Sequence, residues 1–277
     1  MVKFSGHDKF ECKIDWITKG LQAYSCNNTI FSTSNLELSI EQLGLGINMI
    51  KSLHHWMKVL GLIENNNLSL LAQKILENDI YLESSDTLWL MHWNLVKSIK
   101  RSSLAYLFFN KFYLYKFTKD DIIREVNLWL HEQGIKVSPV TISSDVDVFI
   151  KLYKNNEKDM NLFSDLNILN SISASGYTLN INATKDISDK VFLYILLDFI
   201  ELRYQNVVTS ISIDEIEKGI LSIQKCLCLS ENKLYTKIYK LKELTNNKMY
   251  YMESSGMRQI YINELLDKSE LLNQIFN

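Results

Sequence analysis

The sequence predicts a mainly α-helical protein with small β wings: winged helix-turn-helix units at both ends, joined by a helical middle region. Three observations carry this. Helix breakers are scarce, with one proline (Pro139) and nine glycines in 277 residues, which favours long helices over a turn-rich sandwich. Residues 36–67 read in order as helix, glycine turn, helix, strand and polar turn. A similar order recurs near the C-terminus, over residues 212–262. The chain is longer than one minimal core of ~100–200 residues needs. The expected division is an N-terminal winged-helix-like unit at 1–85, a helical middle domain at 86–205 and a C-terminal winged-helix unit at 206–277.

The N-terminal segment opens on Phe4-Ser5-Gly6-His7-Asp8-Lys9-Phe10 and continues into a helix whose Trp16, Ile17 and Leu21 share a face. Residues 27–34 form a turn. A short helix over 36–43 ends at Gly44-Leu45-Gly46, where glycine supplies angles other residues resist. The next helix, 47–60, is stopped by Gly61. Its Ile50, Leu53, Met57 and Leu60 form an apolar stripe. Its opposite face carries Asn48, Lys51, Ser52, His55 and Lys58, the donors a DNA recognition helix needs for phosphates and base edges. Leu62-Ile63-Glu64 reads as a strand before the Asn65-Asn66-Asn67 turn.

The middle region is aromatic. A helix capped by Ser85 or Asp86 holds Trp89, His92 and Trp93. Residues 97–119 carry five lysines and Arg101 with no acidic residue, interleaved with seven aromatics. Such density predicts a core with lysines at its rim, more than a base-stacking platform. Further helices are expected over 120–132 and 138–153. Asp145 and Asp147 stand two apart and share no helical face, which speaks against a paired-carboxylate metal site. The polar stretch 155–159 is a plausible boundary. A strand at 176–181 and a buried helix at 189–204 follow.

In the C-terminal part, helices are expected over 212–218, 220–227 and 230–244. Lys233, Lys237 and Lys240 form a basic stripe on the last of these. A hairpin, 248–252 and 257–262, follows around Glu253-Ser254-Ser255-Gly256, with Lys248 and Arg258 flanking the wing.

The formal net charge of −2 excludes a protein coated in positive charge, but DNA binding depends on local charge. Cys12, Cys26, Cys226 and Cys228 lack zinc spacing and read as reduced core thiols. The longest apolar run, 191–200, is interrupted by Asp198 and is about half of a ~20-residue bilayer span. With no leader at the N-terminus, a cytoplasmic location is expected. The five histidines occupy no H-E-x-x-H motif, and no serine elbow, phosphate loop or dinucleotide fingerprint is present. No catalytic residue, metal site or cofactor is therefore expected.

Several segments together resemble a bacterial family, domain of unknown function four-thousand-and-seven. They are the Phe4–Phe10 motif, Gly44-Leu45-Gly46-Ile47-Asn48-Met49-Ile50-Lys51-Ser52, and Tyr81-Leu82-Glu83 with Thr87-Leu88-Trp89-Leu90-Met91-His92-Trp93. Asp145-Val146-Asp147-Val148-Phe149 and Tyr153 complete the set. The resemblance implies a setting beside enzymes similar to phosphoadenosine-phosphosulfate reductase, in DNA phosphorothioation and phage-defence gene clusters. Ile47 and His54 stand where the family has lysine and arginine. Both departures remove charge from the first recognition helix and shift the expected DNA contact toward the C-terminal stripe.

The leading expectation is a non-catalytic subunit that binds double-stranded DNA in a sulfur-modification or antiphage system. Partner proteins, among them a reductase-like enzyme, would supply the chemistry. The alternatives are a scaffold whose winged helices dock partner enzymes, and a DNA-processing enzyme using His7 and its neighbours.

Overall fold

A computed structural model describes residues 2–154, 160–182 and 184–277. The stretch 155–159, expected as a boundary, lies outside the described residues. The protein is mainly helical with small antiparallel sheets, and it divides into two compact units, Met1–Asn180 and Ile181–Asn277.

The first unit begins with α1 (Ile14–Cys26), α2 (Leu36–Leu43) and α3 (Ile47–Val59). Trp16, Ile17 and Leu21 of α1 are buried, as is the whole α3 stripe of Ile50, Leu53, Met57 and Leu60. Gly44 closes α2 at φ +63°, a left-handed value that a β-carbon disfavours. After α3 come β1 (Ile63–Glu64) and β2 (Asn67–Leu68), paired Ile63 to Leu68 and Glu64 to Asn67. Asn65 and Asn66 sit at φ +50° and +60°, both in the left-handed region, as a two-residue hairpin loop requires. The next helices are α4 (Leu70–Asn78), α5 (Ser85–Val96) and α6 (Ser103–Leu107), the last running into a π turn at Phe108–Phe112.

The aromatic-rich stretch is part core and part surface. Phe108, Phe109 and Phe117 are buried, whereas Tyr115 is exposed. Helix α7 (Lys119–Glu132) starts on a reciprocal cap between Thr118 and Asp121, and α8 (Pro139–Tyr153) has proline at its first position, where no amide partner is needed. A three-stranded sheet in the order β3 (Lys116–Thr118), β5 (Gly176–Leu179), β4 (Leu169–Ser171) completes the unit.

The second unit contains α9 (Asp189–Tyr204), β6 (Ser210–Ser212), α10 (Ile213–Lys218), α11 (Ile223–Cys226), α12 (Glu231–Leu244), β7 (Met249–Ser254), β8 (Met257–Ile262) and α13 (Lys268–Ile275). Its sheet has the order β6-β8-β7. Ser212 and Ser230 cap α10 and α12 as their positions predict. The hairpin strands run on to Ser254, leaving Ser255 and Gly256 as the loop.

This division differs from breaks at 85/86 and 205/206. Helix α9 packs on α12 and α13, so it belongs with the C-terminal elements. The N-terminal motif is tied into the middle helices: the Lys3 amide donates to Ser103 Oγ at 2.5 Å, and the Ser103 amide donates to Lys3 O at 3.0 Å. Cys12, Cys226 and Cys228 are buried, but Cys26 is exposed at the end of α1, contrary to a core thiol. No helix among the described residues is long and apolar enough to cross a membrane.

Candidate nucleic-acid interface

The residues expected on the outward face of α3 separate in the fold. Asn48, Lys51 and Lys58 are exposed. Ser52 is buried at 0 % exposure, and its Oγ has no hydrogen-bond partner among the described residues. A position on the border of the apolar stripe explains this: Trp56, four residues on, is buried too and widens the seam. Ser52 is therefore a core residue and offers no outward donor. His55 is half-buried beneath the N-terminal motif. A β-carbon on Gly6, which sits at φ +105°, would approach the His55 ring to 2.7 Å, so only glycine lets the motif lie this close.

The motif is held at three points. Asp145 of α8 accepts the Ser5 amide on Oδ1 and Oδ2, at 3.1 and 2.9 Å, and lies 3.1 Å from His7 Nε2. His7 Nδ1 accepts the Lys9 amide at 3.1 Å, so Nε2 carries the proton and donates it to Asp145. The His7 ring also stacks on Trp56, and Trp56 Nε1 donates to Phe10 O at 3.1 Å. This arrangement fastens the N-terminus to α3 and α8. Both ring nitrogens of His7 are thus engaged in this anchor. A second pair of family-like segments also meets: His92 Nδ1 lies 2.9 Å from Tyr153 Oη, inside an aromatic box.

These contacts shape a groove of about 680 Å³ beside α3. Lys51 and Lys58 reach it from α3, Lys3 from the position before the N-terminal motif, and Lys100 and Arg101 from the loop after α5. The hairpin loop Asn65-Asn66 forms one wall. Glu64 supplies the one carboxylate in the lining, and it pairs with Arg101 at 3.2 Å. Lys3, Lys51, Lys58 and Lys100 are exposed and have no ion-pair partner among the described residues. The groove histidines add no charge at neutral pH. Burial, with a smaller push from Lys58, brings His54 down to about 4. Burial first, then His7, Lys3, His54 and Lys58, brings His55 down to about 3.

The C-terminal candidates are placed differently. Lys237 and Lys240 both bind Asp189 at the start of α9, at 2.5 and 2.8 Å, and Lys233 pairs with Asp186 at 3.4 Å. Lys248 binds Glu264 at 2.6 Å. Arg258 is enclosed by Glu217 and Asp214, at 3.2 and 3.1 Å. The stripe exists as its spacing predicts, but it faces the acidic end of α9, and all five cations are engaged within their own unit. The expected shift of DNA contact toward this stripe is thus not what the geometry favours. Lys3, Lys100 and Arg101 were absent from the sequence-based candidates. The signal for two of them was present in the acid-free run at 97–119.

Fold and site together describe a mainly helical protein with a cationic groove on its N-terminal unit. The chain belongs to the family described as protein of unknown function (DUF4007), which matches residues 4–276. A search of curated proteins returns no match. Two solved structures share the fold at 18 % identity, each covering 100 % of this chain and 88 % of the other. They are titled "SspB crystal structure", with a TM-score of 0.84, and "Magnesium ion-bound SspB crystal structure", with 0.83. Among the described residues of this chain, no group of three or more His, Cys, Asp or Glu side chains is placed to hold a metal ion.

Proposed function

We propose that the protein is a non-catalytic, double-stranded-DNA-binding subunit of a bacterial DNA sulfur-modification or antiphage system. It would act in the cytoplasm beside partner proteins, one of them similar to phosphoadenosine-phosphosulfate reductase. The observation that carries the DNA contact is the groove of the N-terminal unit, where four unpaired lysines and Arg101 surround one carboxylate. Phosphates in duplex DNA recur at the spacing such cations can follow, and neutralising them releases counterions. The order α2, turn, α3, hairpin supports a winged helix-turn-helix, with α3 as the recognition helix and Asn65-Asn66 at the wing tip. The order α9, β6, α10, α11, α12, β7, β8 supports a second winged helix, whose basic stripe is spent internally.

The sulfur-modification setting rests on the family resemblance and fits the likeness to the two solved structures. Fluorescence anisotropy with a labelled 20-base-pair duplex tests binding. Binding in low salt that is lost well above physiological salt supports the reading, and no binding in low salt contradicts it. Incubation with supercoiled plasmid and magnesium tests the other half: the plasmid stays supercoiled if the protein is non-catalytic. Nicked or linear product would instead favour a DNA-processing enzyme.

A further inference from the structure

The face of α12 turned away from its lysine stripe carries Glu231, Tyr235 and Tyr239, with the exposed Lys242 one turn further on. Tyr235 and Tyr239 of α12 and Tyr251 of β7 form an edge-to-face and tilted trio, with ring centroids 5.7, 6.0 and 5.5 Å apart. They line a shallow concavity of about 550 Å³ together with Glu231 and Glu253. Tyr239 is 62 % exposed, which is unusual for a ring of this size. Arg258, the one cation in the lining, is consumed from within. Its guanidinium donates to both Glu217 oxygens at 3.2 Å, to Asp214 at 3.1 Å and to Tyr235 Oη at 2.5 Å. Lys233, Lys237 and Lys240 lie on another face of the helix and are paired there. The concavity therefore presents aromatic π faces with carboxylates at its edge and no uncompensated positive charge.

From this charge pattern we infer that the α12–β7 face is a docking surface for a lysine or arginine side chain presented by a partner protein. Ring faces attract cations through their quadrupole, and Glu231 and Glu253 strengthen that attraction. The same carboxylates repel DNA phosphates, so the surface selects against the ligand the N-terminal groove favours. Tyrosine also contributes large contact area at low entropic cost, as interface anchors do. This inference does not rest on the DNA-binding reading, since the two surfaces lie on different units and bind opposite charge.

The test uses the full chain and a fluorescein-labelled peptide of alternating glycine and lysine, with a glycine–glutamate peptide as counterpart. The cationic peptide should bind and the acidic one should not. Tyr239→Ala should weaken peptide binding about fivefold, whereas Tyr239→Phe, which keeps the ring, should restore it. Glu231→Gln with Glu253→Gln should weaken it similarly without removing a ring, and guards against a folding defect in the tyrosine variant. Lys51→Ala with Lys58→Ala should leave peptide binding unchanged. Equal peptide affinity in parent, Tyr239→Ala and the double glutamine variant overturns the inference. So does a loss of duplex-DNA affinity in Tyr239→Ala, which would make this a nucleic-acid face. A shift of that variant from dimer to monomer in sedimentation would mark the occupant as a second copy of this chain, and also overturns it.

Discussion

His7 and Asp145 stand 138 positions apart, and neither discloses its role alone. The sequence shows a histidine in a conspicuous motif with no partner nearby, which leaves a catalytic and a structural role both open. The fold supports the structural one, because the Lys9 amide occupies Nδ1 and Asp145 takes the Nε2 proton. His7→Ala leaves a buried carboxylate short of one donor, and we expect it to lower stability by about 1–3 kcal/mol. Thermal denaturation checks this; an unchanged melting temperature would mean that His7 serves something other than anchoring. His54 and His55 make a prediction about pH. Their folded values lie near 4 and 3, below the ordinary 6.5, so between those limits the unfolded chain binds protons that the folded chain refuses. Stability should therefore fall as pH drops below about 6.5. Replacing both histidines with glutamine should flatten that part of the pH–stability curve. An unchanged slope would show that neither is buried as described.

At the scale of elements, helix bounds read well even where no side-chain cap is made, as in α2 and α3. Helices α2 and α9 have the bounds their sequence predicts, and α3 differs by one residue at its end. Strand β6 was illegible, because three residues with one inward side chain, Ile211, leave no alternation to detect. The lysine stripe of α12 shows a different limit: spacing fixes which residues share a face, but not what that face meets. It meets Asp189, where burial raises the carboxyl and hydrogen bonds from Lys237 and Lys240 outweigh it, so the group lies below its ordinary value. Lys237, at 17 % side-chain exposure, is thus a structural cation. Lys237→Ala should cost about 1–3 kcal/mol of stability, measurable by urea denaturation. The part of Asp189's contribution held by this pair is present at neutral pH and lost in acid, as the carboxylate protonates. A variant as stable as the parent would return the stripe to the list of free surface cations.

At the scale of the whole molecule, composition and breaker count foretold the mainly helical class, whereas the division into units was out of reach. The bonds that join residue 3 to 103 and residue 7 to 145 leave no trace in local pattern. The groove is equally non-local, since its cations come from three separate segments. The proposed function requires that this groove, not the α12 stripe, neutralise DNA phosphates. The direct measurement is duplex affinity across a salt series for the parent, for Lys51→Ala with Lys58→Ala, and for Lys233→Ala with Lys240→Ala. Each phosphate contact contributes a slope of about −0.9 in log affinity against log salt. The groove variant should bind more weakly and lose about two contacts' worth of slope, while the stripe variant keeps the parent slope. An unchanged slope in the groove variant, with a flattened one in the stripe variant, would place the phosphate contacts on α12 instead.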